Sequence, residues 1–337
     1  MDLAPGVSYL LHQLGRLFLS AGSTFSVTSL AAAFVLAASF FALRRYRRNR
    51  PVRLKTILRA LFPRHFFASE SSIADLSYLF FNTFVFSLVF GWAILSYELI
   101  SNTTIGALVR TFGHVEPLPL PPAVTNGLVT VLLFLAYEFG YWLNHYLSHR
   151  VPFLWEFHKV HHTATILTPV TVFRVHPVYM IIFVNILALS TGITNGAARY
   201  TLGDTAYQYA LSGTNIILVF FIHTYIHLQH SQVWISFTGW LGRTFMSPAH
   251  HQVHHSIDPT HFNKNFGSCL AVWDWIFGTL YVPDKESEKL TFGVDPNDRE
   301  SHTFYGAYVL PFRDALAQLR GALKKPAPEA TKVQSAG

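Results

Sequence analysis

The sequence predicts an all-α integral membrane protein with four to five membrane helices and a helical cap on the cytoplasmic side. Two observations carry this prediction. The 337-residue chain is 51% hydrophobic, has a mean hydropathy of +0.30 and is only 13% charged, whereas soluble domains are about 25% charged. Its apolar residues also form runs of roughly the length that a bilayer requires of a helix.

The first span is predicted at residues 25–43 and is followed by a basic run. From Arg44 to Arg64 there are nine Arg and Lys residues and no acid. A basic run directly after a span favours a cytoplasmic position beside anionic lipid. Its place after the span argues against a cleaved signal peptide and puts the N-terminus on the opposite side. Because this run alone exceeds the net charge of +7, the charge does not indicate a nucleic-acid-binding protein.

Further apolar stretches predict the remaining spans. The second span is expected at residues 76–100 and the third at 123–143, with a loop between them. Two weaker stretches, 177–193 and 207–226, are interpreted as a hairpin that enters and leaves the membrane on the cytoplasmic side. Residues 233–246 are too short to span and are predicted to be interfacial.

Three regions follow from this topology. Residues 1–120 are expected to form a membrane anchor with two spans and a basic cytoplasmic loop. Residues 121–283 form a histidine-rich region, and residues 284–337 a cytoplasmic extension that ends, from residue 324, in a disordered tail. Cys269 is the single cysteine, which excludes an intramolecular disulfide and cysteine-based zinc or iron–sulfur sites.

Histidine is concentrated in four blocks. Fourteen of the eighteen histidines lie between His145 and His261, and each block has a spacing of three or four residues. Such residues share one face of a helix, and neutral imidazole is the commonest protein ligand of transition metals. About ten ligands are too many for one ion and suit two. The predicted ligands are His145, His149, His158, His161, His162, His223, His227, His251, His254 and His255.

Three neighbouring histidines, His230, His250 and His261, are left open as ligands. Adjacent residues on a helix point about 100° apart, so His250 and His251 cannot face the same point. The run at 250–255 therefore also allows a register in which His250 pairs with His254.

The sequence excludes several classes of metal protein. HExxH is absent, which argues against a zinc metalloprotease, and no Glu-x-x-His occurs, which argues against a ferritin-like carboxylate site. Paired histidines at helix ends do not fit a bis-histidine haem. A non-enzymatic metal-binding or transport protein stays as the alternative, although the spans offer few polar residues beyond Glu138 and Asn82. A histidine-rich, water-poor site beside lipid favours an iron oxidant that attacks a lipid C–H bond.

Neutral ligands would leave two divalent ions uncompensated, and a buried net charge is costly. Metal-bound histidines usually donate their second N–H to a carboxylate or a carbonyl. Glu138 is the best acidic candidate for this supporting role, followed by Glu156, Asp258 and Asp274. No catalytic side chain is expected beyond the metal ligands.

Three segments resemble the fatty acid hydroxylase/sterol desaturase superfamily over about residues 130–283. They are EFGYWLNHYLSHRVPFLWEFHKVHHT (138–163), RVHP (174–177) and HHQVHHSIDPTHFNKNFGSCLAVWDWIFGT (250–279). That superfamily consists of membrane-bound, non-haem di-iron oxygenases acting on lipids. The resemblance implies two iron ions, O2 as co-substrate and a lipid substrate, with His176 and Asn265 supporting the site.

The resemblance also implies how the ligands divide. One iron is expected to bind His149, His158, His161, His251 and His254. The other is expected to bind His145, His162, His223, His227 and His255.

Hydroxylation is favoured over desaturation, and a polar or ether lipid over an acyl chain or a sterol. The His-Pro-Gly-Gly of a fused cytochrome b5 domain is absent, so electrons are expected from a separate donor of the cytochrome b5 or ferredoxin type, or from a reduced pterin. A C-terminus without a dilysine signal favours a bacterial inner membrane over the endoplasmic reticulum.

Overall fold

The computed structural model describes residues 5–63, 66, 69–295 and 299–324. The described chain is helical, apart from turns, loops and one short antiparallel hairpin. The predicted disordered tail lies, apart from Lys324, outside the described residues.

The first part of the described chain contains six α-helices and a π-helical turn, Phe81–Val85. The helices are α1 (Pro5–Phe18), α2 (Val27–Arg47), α3 (Leu54–Leu61), α4 (Glu70–Phe80), α5 (Phe86–Phe90) and α6 (Tyr97–Phe112).

The second part of the described chain carries the histidine blocks and a second π-helical turn, Ile222–Ile226. Its elements are α7 (Pro122–Arg150), α8 (Pro152–His162), α9 (Pro177–Leu202), β1 (Ala210–Leu211), β2 (Thr214–Asn215), α10 (Ile216–Phe221), α11 (His227–Gln229), α12 (Gly239–Thr244), α13 (Pro248–His254), α14 (Val272–Ile276), α15 (Phe304–Tyr308) and α16 (Leu310–Lys324).

Within the described residues, four helical stretches are long and apolar enough to cross a bilayer. They are Val27–Arg47, Glu70–Phe112, Pro122–Arg150 and Pro177–Leu202. The second of these is made of α4, α5 and α6 and is interrupted at residues 94–96. The prediction of an all-α integral membrane protein with four to five membrane helices is confirmed, with four candidate spans among the described residues.

The predicted hairpin at residues 177–226 differs from the structure. Helix α9 continues to Leu202 through the expected polar loop, and the β1–β2 hairpin precedes a shorter apolar helix, Ile216–Gln229. The polar residues stay helical because they face α6: Asn195 Nδ2 donates to Ser101 Oγ at 2.9 Å, and Gly196 lies against the Ser101 carbonyl. The same packing keeps residues 101–112 helical, where a loop was expected.

Helix α7 is the central element of the spanning region. It packs along α9 on one side and contacts α8 and α10. Near its start, Val129 and Leu133 form a buried cluster with Ala198 and Ala206. Further along, Phe134 stacks on Phe221 at a centroid distance of 5.7 Å. These contacts carry α7 to its final turn, where the first histidine block lies.

A buried ion pair joins α4 to the segment after α8. Arg174 and Asp75 are both fully buried, and Arg174 Nη1 donates to Asp75 Oδ1 at 2.9 Å. The guanidinium also donates to the Ser71 carbonyl, and Asp75 accepts from the Thr171 hydroxyl. The pair fixes the Arg-x-His-Pro segment against the N-terminal region.

Replacing Arg174 with alanine is expected to destabilise the fold by about 3–5 kcal/mol, because the Asp75 carboxylate would stay buried without its partner. Chemical unfolding of the purified protein in detergent measures this loss. The double variant Arg174→Met with Asp75→Leu is the matched control and should be less destabilised than Arg174→Ala. An Arg174→Ala protein as stable as the wild type would contradict the conclusion that this ion pair holds the segment in place.

Candidate metal centre

The second and fourth histidine blocks lie on or at the end of short helices whose starts are set by local sequence. Both α8 and α13 begin with proline, which fits the first helical position because its missing N–H needs no partner there. Ser247 caps α13: its Oγ accepts from His250 N, and the His250 ring accepts from Ser247 N. This capping box explains why His250 does not face the other histidines.

The structure brings nine histidines into two adjacent groups, and the ligand atoms of each group lie within 4.8 Å of one another. The first histidine group is His145, His149, His158, His162 and His254. The second histidine group is His161, His230, His251 and His255. All nine are buried except His149, which is half-buried.

Backbone carbonyls fix two rings of the first group. His145 Nδ1 lies 2.8 Å from the Phe266 carbonyl oxygen, and His254 Nδ1 lies 2.8 Å from that of Lys264. Because a carbonyl can only accept, each Nδ1 carries the proton and each Nε2 keeps a free lone pair. The Nε2 atoms of both residues are buried and have no hydrogen-bond partner among the described residues, as expected of metal ligands.

The backbone of Arg174 contacts a ring of the second histidine group. The Arg174 carbonyl lies 3.3 Å from His161 Nδ1, which turns the His161 Nε2 atom toward His230 at 3.1 Å. The buried ion pair of Arg174 therefore also positions a candidate ligand.

The spacing of the ring nitrogens tests whether a metal ion fits. With a metal–nitrogen bond of about 2.1 Å, two nitrogens about 3.0 Å apart subtend about 90° at the ion, whereas tetrahedral zinc would require about 3.4 Å. Four pairs of Nε2 atoms approach right-angle spacing. They are His158–His162 at 3.2 Å, His161–His230 at 3.1 Å, His230–His251 at 3.0 Å and His251–His255 at 3.1 Å. Ring nitrogens this close to one another can be ligands of the same metal ion.

Burial keeps these rings neutral. It lowers the pKa of His161 to about 3, helped by the nearby His254. It also lowers the pKa of His254 to about 4, although the bond to the Lys264 carbonyl opposes the shift. Burial likewise lowers the pKa of His251 and His255 well below the ordinary value. Neutral imidazole is the form that binds a metal ion.

The lowered pKa values predict acid sensitivity of the metal-free protein. An unfolded histidine takes up a proton near pH 6.5, whereas folded His161 and His254 do so only near pH 3 and pH 4. The unfolded chain thus binds more protons between these limits, so stability is full above about pH 6.5 and falls as the pH drops toward 4. Urea unfolding of the metal-free protein at several pH values measures the slope. A flat profile from pH 7 to pH 5 would contradict it.

Two predicted ligands, His223 and His227, lie outside both groups. His223 Nε2 is 3.1 Å from the Thr28 hydroxyl, and His227 Nε2 is 3.1 Å from the Ser29 hydroxyl. Both therefore face α2. The π-helical turn that contains His223 changes the direction of the following residues relative to an α-helix, which the sequence spacing did not anticipate.

His230 stands in the second group instead. It ends the apolar helix Ile216–Gln229 and contacts both His161 and His251. The only sequence signal for it was its place three residues after His227, which put it beside a block without making it a member.

The grouping also differs from the expected division. His145 and His162 lie with His149, His158 and His254 in one group. His161 and His251 lie with His255 in the other group. Eight of the ten predicted ligands are therefore in the two groups, distributed differently.

The other histidines near the site have structural partners. His250 Nε2 lies 3.0 Å from the Gly242 carbonyl. His261 contacts the Glu288 carboxylate at 3.3 Å. His176 caps α9, with Nδ1 accepting from Val178 N at 3.1 Å.

Two buried carboxylates hold the loop that supplies the Phe266 carbonyl. Asp274 accepts from the backbone N–H groups of Phe266 and Gly267 at 2.9 and 2.8 Å. Glu138 accepts from those of Cys269 and Leu270 at 2.9 and 2.8 Å. Among the described residues, neither carboxylate bonds a histidine directly. Their supporting role runs through the backbone of this loop, residues 265–270.

Side-chain size and backbone shape make the loop possible. A Cβ atom on Gly267 would collide with the Leu270 carbonyl and crowd Asp274. Asn263 and Asn265 adopt left-handed backbone angles, with φ of 57° and 60°, which asparagine tolerates better than most residues. Asn265 Nδ2 also donates to the His250 carbonyl, so the predicted supporting residue links the loop to α13.

A cavity of about 700 Å³ leads away from the histidines. His145 and His158 of the first group and His161 and His230 of the second line one end of it. Most of the remaining lining is aromatic or aliphatic, including Phe134, Tyr141, Phe183 and Ile222. Both histidine groups therefore meet a largely apolar space among the membrane helices.

The chain was compared with protein families and with solved structures. Residues 130–279 match the family described as Fatty acid hydroxylase. The comparison with solved structures gives no match.

Curated relatives match about half of the chain. The alkylglycerol monooxygenase of Homo sapiens is 30% identical over 164 residues, 48% of this chain and 32% of the relative. The ornithine lipid hydroxylase OlsE of Rhizobium tropici is 30% identical over 170 residues, 50% of this chain and 45% of the relative. The chain thus spans about a third of the length of the alkylglycerol monooxygenases it matches.

Proposed function

We propose that the chain, whose residues 130–279 match the family described as Fatty acid hydroxylase, is a membrane-bound, O2-dependent di-iron oxygenase that hydroxylates a C–H bond of a lipid. Members of this family use iron with O2, and the relatives are named for oxidation of alkylglycerols and ornithine lipids. The single observation that carries the proposal is that both histidine groups line one cavity among helices long and apolar enough to span a membrane.

Iron bound in both groups would supply the O2-derived oxidant that breaks an unactivated C–H bond. The first histidine group would hold one ion and the second the other. The Phe266, Lys264 and Arg174 carbonyls orient individual rings. The apolar cavity excludes water and aligns the chain of the lipid with the histidines. Electrons would come from a separate reductant: a cytochrome b5- or ferredoxin-type protein, or a reduced pterin.

The membrane placement completes the proposal. We place the histidine-bearing end on the cytoplasmic side, because the basic run after α2 favours that side. A bacterial inner membrane is favoured over the endoplasmic reticulum. Desaturation by the same site is the alternative reaction, and a non-enzymatic membrane metal-binding or transport protein is the alternative from another class.

Lipid mass spectrometry of cells with and without the gene tests the function. The proposal expects a lipid that gains one oxygen atom only when the gene is present, whereas a lipid that loses two hydrogen atoms would indicate desaturation. Expression of His254→Ala, with protein amount measured, is the matched control and should abolish the product. Purified protein that binds stoichiometric zinc, and consumes no O2 with lipid and reductant after iron loading, would support the metal-binding alternative.

A further inference from the structure

The end of the cavity remote from the histidines is polar. Thr24 from the α1–α2 loop, Gln208, Thr214 and Asn215 line it. The apolar helix Ile216–Gln229 joins this end to His230, so the two ends are about 20 Å apart at 1.5 Å per residue. The cavity therefore has hydrogen-bonding groups at this remote end as well as beside the histidines.

The fold itself uses only part of this polarity. Asn215 is fully engaged: its Nδ2 donates to the Thr130 carbonyl at 2.9 Å and to Gln208 Oε1 at 2.8 Å, and its Oδ1 accepts from Ile217 N. The hydrogen bond from Asn215 to Gln208 Oε1 orients the Gln208 amide and leaves the two N–H donors of its Nε2 atom available. Neither those donors nor the side-chain hydroxyl of Thr214 is hydrogen-bonded to another described residue.

The polar end lies beside the first part of α7, a helix long and apolar enough to cross a bilayer. Asn215 and Tyr209 are held by Thr130, which is about 12 Å along α7 from its first residue. None of the described residues that line the cavity is Asp, Glu, Lys or Arg, so the lining gives no counter-ion to a charged group.

We propose that Gln208, Thr214 and Thr24 form a subsite for an uncharged, oxygen-bearing group of the lipid, such as a hydroxyl, ester, ether or amide. The Gln208 amide and the threonine hydroxyls donate to that oxygen, while the apolar part of the lipid lies along Ile216–Gln229. The carbon at the histidines is then remote from this group along the chain. The proposal rests on the proposed function only in taking the occupant of the cavity to be the lipid substrate.

The N-terminal region takes part in this subsite. Gly22 and Thr24 precede the family-matched segment, yet both line the cavity. A Cβ atom at Gly22 would overlap the Thr214 side chain, so only glycine lets the loop lie directly on the β1–β2 hairpin. Residues 1–120 therefore contribute to the binding site as well as to membrane anchoring.

Binding to the metal-free protein tests the subsite without any turnover. Native mass spectrometry would compare hexadecanol with hexadecane, which share the chain and differ in one hydroxyl. One added hydrogen bond predicts about fivefold tighter binding of the alcohol. Gln208→Leu and the isosteric Thr214→Val should each reduce this preference. Tyr209→Phe, an exposed hairpin hydroxyl outside the lining, should keep it.

Two results would overturn the subsite. One is equal binding of alcohol and alkane to the wild type, and the other is a preference that both cavity variants retain. Product mapping adds a second arm in active protein: the new hydroxyl should lie far along the chain from the polar group, and a hydroxyl on the carbon next to it would refute the orientation. Absence of any oxidised product refutes the proposed function instead and leaves the binding comparison standing.

Discussion

Replacing His230 with alanine is expected to lower the bound iron from about two ions to about one per chain. The rate of lipid oxidation should fall by at least about 100-fold, because loss of a residue that only supports a metal ligand already lowers activity by up to about that factor. His230 Nε2 lies 3.1 Å from that of His161 and 3.0 Å from that of His251. Removing this ring opens the second histidine group at its centre. Iron content by elemental analysis and the rate of product formation measure the two effects.

The matched control is His227→Ala, three residues earlier on the same helix. His227 bonds the Ser29 hydroxyl and lies outside both groups, so this variant should keep its iron. The comparison separates the structure from the spacing-based expectation, in which His227 binds iron and His230 stays open. Loss of iron in His227→Ala together with full iron in His230→Ala would reject the grouping described here.

Replacing Asp274 with alanine is expected to destabilise the protein by about 3–5 kcal/mol, because several buried donors would lose their acceptor at once. Besides the two backbone N–H groups, Asp274 accepts from the Thr279 hydroxyl at 2.5 Å and from Trp142 Nε1 at 3.3 Å. Burial raises the pKa of Asp274, and these donors oppose the rise. Thermal unfolding in detergent measures the loss.

The same change should also weaken iron binding, since the loop at 265–270 would no longer present the Phe266 carbonyl to His145. Iron affinity is therefore expected to fall by about 10–100-fold, measured by chelator competition at a temperature where the variant is folded. Asp258→Ala is the control, because that carboxylate is exposed and, among the described residues, bonds only Thr260 in its own turn. A stable Asp274→Ala protein with unchanged affinity would show that the loop does not depend on this carboxylate.

The spans were predictable because a run of consecutive apolar residues of sufficient length is enough to identify each of them. Residues 25–43 and 123–143 correspond closely to α2 and α7. The continuation of α9 to Leu202 was not predictable, because it depends on Asn195 meeting Ser101 from a distant helix. The break at residues 94–96 has the same origin: Asn185 accepts from Leu95 N and donates to the Ala93 carbonyl.

The candidate site likewise has parts that follow from local spacing and parts that depend on tertiary contacts. The blocks on α7, α8 and α13 were found from spacing, since each lies on a regular helix whose face the spacing defines. The block at His223 and His227 faces α2 in the structure, because a π-helical turn has a different residue angle from an α-helix. The roles of Glu138 and Asp274 as acceptors for a loop backbone depend on tertiary contacts that spacing does not encode.

The two histidine groups draw on chain segments that emerge from the ribosome at very different times. His145 is made early, whereas His254 and His255 follow more than a hundred residues later, and each group needs at least one of these late residues. We therefore expect iron to bind only after the helices have been inserted into the bilayer. The bound ions would then hold these helices together. A nascent chain arrested after residue 240 should bind no iron stably, which radioactive iron on purified arrested complexes would reveal.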